Sequence, residues 1–194
     1  MYEHFLYFWL TWILFINVYF FMEKSKKRSF FMGWILLILI CTNEWIQWNG
    51  ISISLSFLLL LAGANIFYAI NSYTMLRLLA TFSVMISYAS LLIWEKITPV
   101  WFFMPSYFMN PILTAILIIF LVDGLYARLQ IALAGVAFGQ LVYELILISY
   151  RLHHVIGETA LFIHISLVLL FLILMHFIQL CLQKISHAWR KILA

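Results

Sequence analysis

TALFIHISLVLLFLILMHFIQLCL, residues 159–182, runs for 24 positions without one Asp, Glu, Lys or Arg. Wound as an α-helix at 1.5 Å per residue it is about 36 Å long, enough to cross a hydrocarbon core of about 30 Å. A buried helix of a soluble protein seldom needs such a length of uninterrupted apolar surface, so this stretch reads as a membrane span. The rest of the chain agrees with it. Across 194 residues, 66% are apolar and 9% charged, against about 25% charged in soluble domains. A watery surface cannot be assembled from that stock, and after the spans are subtracted too little chain is left for a sizeable soluble domain.

Working outward, the apolar runs predict an all-α, polytopic bundle of about seven helices in a single transmembrane domain over residues 1–194. The spans fall near 5–22, 30–45, 51–70, 75–94, 108–126, 129–150 and 159–182, with a short interfacial helix over 184–193. The second span is short for the bilayer, which implies local thinning or a helix continuing to Trp48 before a break at Asn49-Gly50. Residues 98–110 hold Pro99 and Pro105 among Trp101, Phe102, Phe103, Tyr107 and Phe108. We read them as an aromatic interfacial or partly re-entrant segment, capped by Asn110, with Pro111 in the first turn of the fifth helix.

Charge sets the orientation. Lys24, Lys26, Lys27 and Arg28 follow the first apolar run, the reverse of a secretory signal peptide, whose positive region comes first. With seven spans, Arg77, Arg128, Lys184, Arg190 and Lys191 join them on one side, leaving Lys96 and Arg151 on the other. Since basic residues are retained in the cytoplasm, the N-terminus is expected outside and the C-terminus inside. An even number of spans would strand the basic first loop or the basic tail on the wrong face.

The same clusters argue against nucleic acid, because no basic face interleaved with aromatics emerges. Expected partners are the lipid bilayer and, beyond it, other membrane proteins or a second copy of the chain. Cys41 and Cys181 have neither metal spacing nor a disulfide framework.

Polar residues inside apolar spans are the functional candidates, since charge at mid-bilayer is costly. Glu144 stands out: it lies mid-helix, with Gln140 one turn before it and Arg151 two turns after, on one face. One reading is a proton-carrying or ligand-binding carboxyl turned into the bundle, joined by His164. The plainer and preferred one is a neutral carboxyl hydrogen-bonded to Gln140 or to a neighbouring helix. Ala132, Gly135 and Gly139 form a small-residue face that lets another helix approach closely, more often within a chain than between chains.

His153, His154 and Glu158 cluster on an outer loop and form a weak metal-ligand trio, but no His-Glu-x-x-His or Cys pair supports them, so no metal is assigned. His164 and His176 lack the matching pair on a second helix that haem would require, and no cofactor is expected. Asn17, Asn65 and Asn71 complete the polar set as helix-joining amides. No triad order, phosphate loop or internal repeat is visible.

The opening Phe5-Leu6-Tyr7-Phe8-Trp9-Leu10-Thr11-Trp12, the basic loop after it and the length and span pattern resemble the small YphA-type membrane proteins of Bacillus and relatives. That resemblance covers most of the chain and implies a bacterial plasma-membrane location. It supplies no functional residues to carry over. Three functions follow from the residues themselves. The first is a non-enzymatic structural or accessory membrane component. The second is a small transporter or proton-coupled carrier using Glu144, Gln140 and His164, and the most distant is an intramembrane metal-dependent enzyme.

Overall fold

The computed structural model describes residues 2–48, 50–70, 75–98, 105–150, 152 and 155–193. In chain order the elements are α1 (Tyr2–Phe21), α2 (Lys26–Ile40), a 3₁₀ turn (Cys41–Asn43), β1 (Trp45–Trp48), β2 (Ile51–Ser54), α3 (Leu55–Ile70), α4 (Met75–Ile97), α5 (Ser106–Leu121), α6 (Leu125–Ser149), β3 (Val155–Ile156) and α7 (Thr159–Leu193). The chain is helical, as its apolar runs require. Four helices, Glu3–Phe21, Met75–Ile97, Leu125–Ser149 and Thr159–Lys184, are long and apolar enough to cross a membrane, while Leu55–Ala69 and Tyr107–Leu121 are shorter apolar helices.

Those lengths correct the expected spans 30–45 and 51–70. The helices there stop at Ile40 and start at Leu55, and the residues between form an antiparallel hairpin in which Trp45 faces Ser54 and Trp48 faces Ile51. Its physical cause is legible: Trp-Ile-Gln-Trp is rich in aromatic and β-branched residues, Ile-Ser-Ile-Ser alternates at period two, and Asn-Gly is a preferred two-residue hairpin connection. Gly50 has φ +81°, a conformation in which glycine escapes the Cβ clash. A backbone bond from Leu55 N to Glu44 O, 2.9 Å, closes the hairpin onto α3. β3 then adds in parallel to β2, Ser52 facing Val155 and Ile53 facing Ile156, which ties the segment between α6 and α7 to the same cap.

Other boundaries also differ from expectation. The α5 helix begins at Ser106, so Pro111 lies inside it rather than in its first turn. It ends at Leu121, not 126, and α6 begins at Leu125, not 129. Arg128 explains the sharp corner: its Nε donates to Val122 O at 2.8 Å, its Nη1 to Gln179 Oε1 at 3.2 Å, and its Nη2 lies 3.5 Å from Asp123 Oδ1. One guanidinium thereby clips the α5–α6 turn to α7. The α7 helix runs unbroken from Thr159 to Leu193, where a separate interfacial helix over 184–193 was expected. Residues 99–104, close to half of the predicted aromatic segment, lie outside the described residues, as do Asn71 and Arg151, while 106–110 form the start of α5, so Asn110 lies within that helix and does not cap the segment.

At the centre stands α6, with Ile131, Ala132, Val136 and Ala137 fully buried. The α4 and α6 helices run the same way and touch along their small residues. A Cβ on Gly135 would come within 2.7 Å of Val84 Cγ1, and one on Gly139 within 2.8 Å of the Met85 carbonyl oxygen. Such closeness lets dispersion and packing hold helices that gain little from burying apolar surface out of lipid. Outward, the bundle is apolar instead of polar: Phe20, Phe21, Met75 and Leu174 are exposed, and Phe120 is 86% exposed. Asn17 and Asn65 give their Nδ2 groups to carbonyls of their own helices, Ile13 and Leu61, and among the described residues they show no bond to a second helix, where helix-joining amides were expected.

The ends of the bundle differ in charge. Glu3, Glu44, Glu95 and Glu158 sit at the end capped by the sheet, whereas Lys24, Lys26, Lys27, Arg28, Arg77 and Arg128 gather at the opposite end.

Candidate functional site

Beneath the sheet end, α1, α4, α5, α6 and α7 enclose a cavity of about 770 Å³. Its rim carries exposed Glu3, Lys96 and Glu158, and its wall reaches inward to Tyr88, Gln140, Glu144 and His164. Each deep side chain is held by helix periodicity. On α4, Val84 and Tyr88 follow one another on the buried stripe facing α6, and Glu95 falls two turns beyond Tyr88 on that side. On α6, Gln140 and Glu144 are one turn apart and both buried.

A hydrogen-bond chain joins these helices. Tyr88 Oη donates to Gln140 Oε1 at 2.8 Å, and Gln140 Nε2 donates to Glu144 Oε1 at 2.7 Å. The amide uses both its faces, so the tyrosine is held and the carboxyl receives one donor. Glu144 is only 2% exposed yet lines the cavity, an arrangement that lets a carboxyl meet a bound molecule or a proton while shielded from lipid.

The opposite wall comes from α5 and α7. The His164 ring lies 4.6 Å from the Tyr88 ring, edge to face, and its Nε2 lies 3.4 Å from Thr114 Oγ1. The Thr114 hydroxyl hydrogen is directed to the Asn110 carbonyl at 2.8 Å. Nε2 of His164 is therefore the donor to Thr114. Asn110, 2% exposed, gives its Nδ2 to Glu95 Oε2 at 2.7 Å.

Past this polar layer the bundle is shut. Val84, Ile118, Val136 and Val168, about one turn deeper on α4, α5, α6 and α7, are all 0% exposed. Among the described residues the site is a vestibule with its rim at the sheet end and an apolar plug below.

A family model of YphA-like integral membrane proteins matches residues 3–193. The chain belongs to that family. As one of the YphA-like integral membrane proteins it resides in a membrane, in keeping with its apolar exterior and long helices. No curated protein and no solved structure matches it.

In this YphA-like protein the residues singled out from sequence fall into three places. Glu144, Gln140 and His164 come together at the cavity, and Glu158 lies on its rim. Ala132, Gly135 and Gly139 lie on α6, where the two glycines contact α4 of the same chain. His153 and His154 lie outside the described residues. Among the described residues no group of three or more His, Cys, Asp or Glu side chains is gathered to hold a metal. His176 sits about three turns further along α7 than His164 and is absent from the cavity wall.

Sequence reasoning passed over Tyr88, Glu95 and Thr114, and gave Asn110 only the part of a cap, which its place inside α5 excludes. The seven-residue spacing of Tyr88 and Glu95 on one apolar helix was an available sign. Nothing in the sequence pairs Asn110 with Glu95, because that contact depends on how α4 and α5 dock.

Proposed function

We propose that this chain is a polytopic plasma-membrane carrier for a small solute, oriented with the sheet end outside and the basic end in the cytoplasm, and that Glu144 is its working carboxyl. The observation that carries the reading is the cavity wall itself: a buried carboxyl about four-fifths of the way along an apolar helix lines a space large enough for a drug-sized molecule. An ionisable group at that depth is costly, and carriers use such groups to bind cargo or protons. The distribution of Lys and Arg supports the orientation, and four long apolar helices together with three shorter ones support repeated crossing.

The accessory-component reading drew on the small-residue face of α6. Since α4 of the same chain fills that face, the feature no longer points to a partner. The carrier reading keeps its motive, and the plug of Val84, Ile118, Val136 and Val168 defines what must move. Passage requires that plug to open toward the basic end while the vestibule closes, as in alternating access.

Transport is tested by accessibility from both faces. In a variant with Cys41 and Cys181 replaced by serine, Tyr143→Cys should react with a membrane-impermeant thiol reagent applied to intact cells and also to inside-out vesicles. Reaction from the outer face alone would make the protein a one-sided binder and end the carrier reading.

A further inference from the structure

We propose that the cargo of the vestibule is an organic cation, an amine with an apolar or aromatic body. The inference rests on the carrier reading and names its substrate class. The charge balance comes first: carboxyls of Glu3, Glu95, Glu144 and Glu158 line the cavity, and Lys96 is the one Lys or Arg side chain among its lining residues. An anion entering beneath the membrane surface would meet like charge in a medium that screens it weakly.

Acidity by itself would suit a merely solvated mouth, and a separate feature shows what the wall lacks. Asn110 is 2% exposed, with its Nδ2 committed to Glu95, and its Oδ1 is a buried acceptor without a hydrogen-bond partner among the described residues. Because the Glu95 bond fixes the amide's orientation, the group left over accepts and cannot donate. The Oδ1 itself is covered in this state, and a cargo N–H that reached it as the wall parts would satisfy it, where a carboxylate or phosphate would not. The same Asn110 stands beside the Glu95 charge, so one ammonium head would find an acceptor and a counter-ion together. Tyr88, Tyr107, Phe108 and Tyr143 supply aromatic surface for the rest of such a molecule, and aromatic faces attract cations. A bare metal ion fits less well, since no ligand group is gathered among the described residues and the space of about 770 Å³ suits a molecule.

The test uses rhodamine 6G, a fluorescent aromatic cation bearing N–H groups, and fluorescein, an anion on a similar ring system, each titrated into the purified protein and followed by fluorescence anisotropy. Rhodamine 6G should saturate at one molecule per chain and fluorescein should not. Glu95→Gln and Glu144→Gln should each weaken the cation about tenfold or more, the loss expected of a charge-assisted contact. Lys96→Gln should tighten it by about threefold through removal of like charge, a gain that a misfolded variant cannot imitate. Equal binding of the two dyes, no saturable rhodamine 6G binding, or an affinity unchanged in all three variants would overturn the cation assignment. If that happens while Tyr143→Cys still reacts from both faces, the cargo class falls and the carrier stands. A Tyr143→Cys that stays unreactive from the inner face removes the carrier instead.

Discussion

Gln140 is the residue on which the polar wall turns, because its amide bridges Tyr88 on α4 to Glu144 on α6. Replacing it with leucine leaves a hydroxyl and a carboxyl short of one partner each. In water-soluble proteins each such loss costs about 1–3 kcal/mol, and bonds between membrane helices average nearer 0.6 kcal/mol. We therefore expect Gln140→Leu to destabilise the fold by about 1–2 kcal/mol, read as a lowered midpoint in denaturant titration of the detergent-solubilised protein. Glu144→Gln keeps an acceptor facing Gln140 and should change that midpoint by less than about 0.5 kcal/mol while abolishing solute movement. A Glu144→Gln protein that still carries solute at the wild-type rate would detach Glu144 from the function. At this scale the sequence was partly legible. Glu144 and Gln140 announced themselves by being polar where lipid forbids it, whereas Asn110 and Glu95 sit near helix ends, where polarity is ordinary and only docking reveals the pair.

At the scale of elements, the α4–α6 seam and the hairpin teach opposite lessons. The small residues Ala132, Gly135 and Gly139 stated from sequence that some helix would come close, and the partner is α4 of the same chain. Gly139→Ala must push a methyl against the Met85 carbonyl oxygen and the Tyr88 ring, at a cost of about 1–3 kcal/mol for overpacking. Gly33→Ala meets nothing within 4 Å on α2 and should be neutral or stabilising by up to about 1 kcal/mol, as alanine is the better helix former. Thermal unfolding of the pair separates them; equal shifts would mean that the seam is looser than described. The hairpin shows how hydropathy misleads when read alone. Counting apolar residues extends spans two and three toward each other, while the aromatic and β-branched residues of 45–48, the period-two alternation of 51–54 and the Asn-Gly connection specify strands. A second turn glycine supports this cap: Gly157 has φ +83°, and a Cβ there would meet Phe57 Cβ at 2.5 Å. Gly157→Ala should accordingly cost more than Gly50→Ala, which meets open space and only backbone strain, in the same unfolding assay.

Across the whole molecule, the arrangement that composition demanded is an inverted surface, with exposed Phe, Trp and Leu around a centre that holds the polar groups. This was legible because lipid leaves few alternatives: backbone groups must be satisfied internally, so long apolar runs become helices. The vestibule was not, since a cavity is the place where five helices fail to touch and no single run encodes it. Sidedness joins the two levels. If acidic groups face outward at the mouth and basic groups hold the other end inside, the cavity takes its cargo from the exterior. The most direct measurement is impermeant maleimide labelling of intact cells carrying, in a cysteine-free background, Leu147→Cys in the vestibule wall or Lys184→Cys on α7 beyond the opposite end. Labelling of Leu147→Cys without permeabilisation, and of Lys184→Cys only after it, is the expected result; a Leu147→Cys that stays unlabelled from outside, or a Lys184→Cys that reacts there, contradicts it.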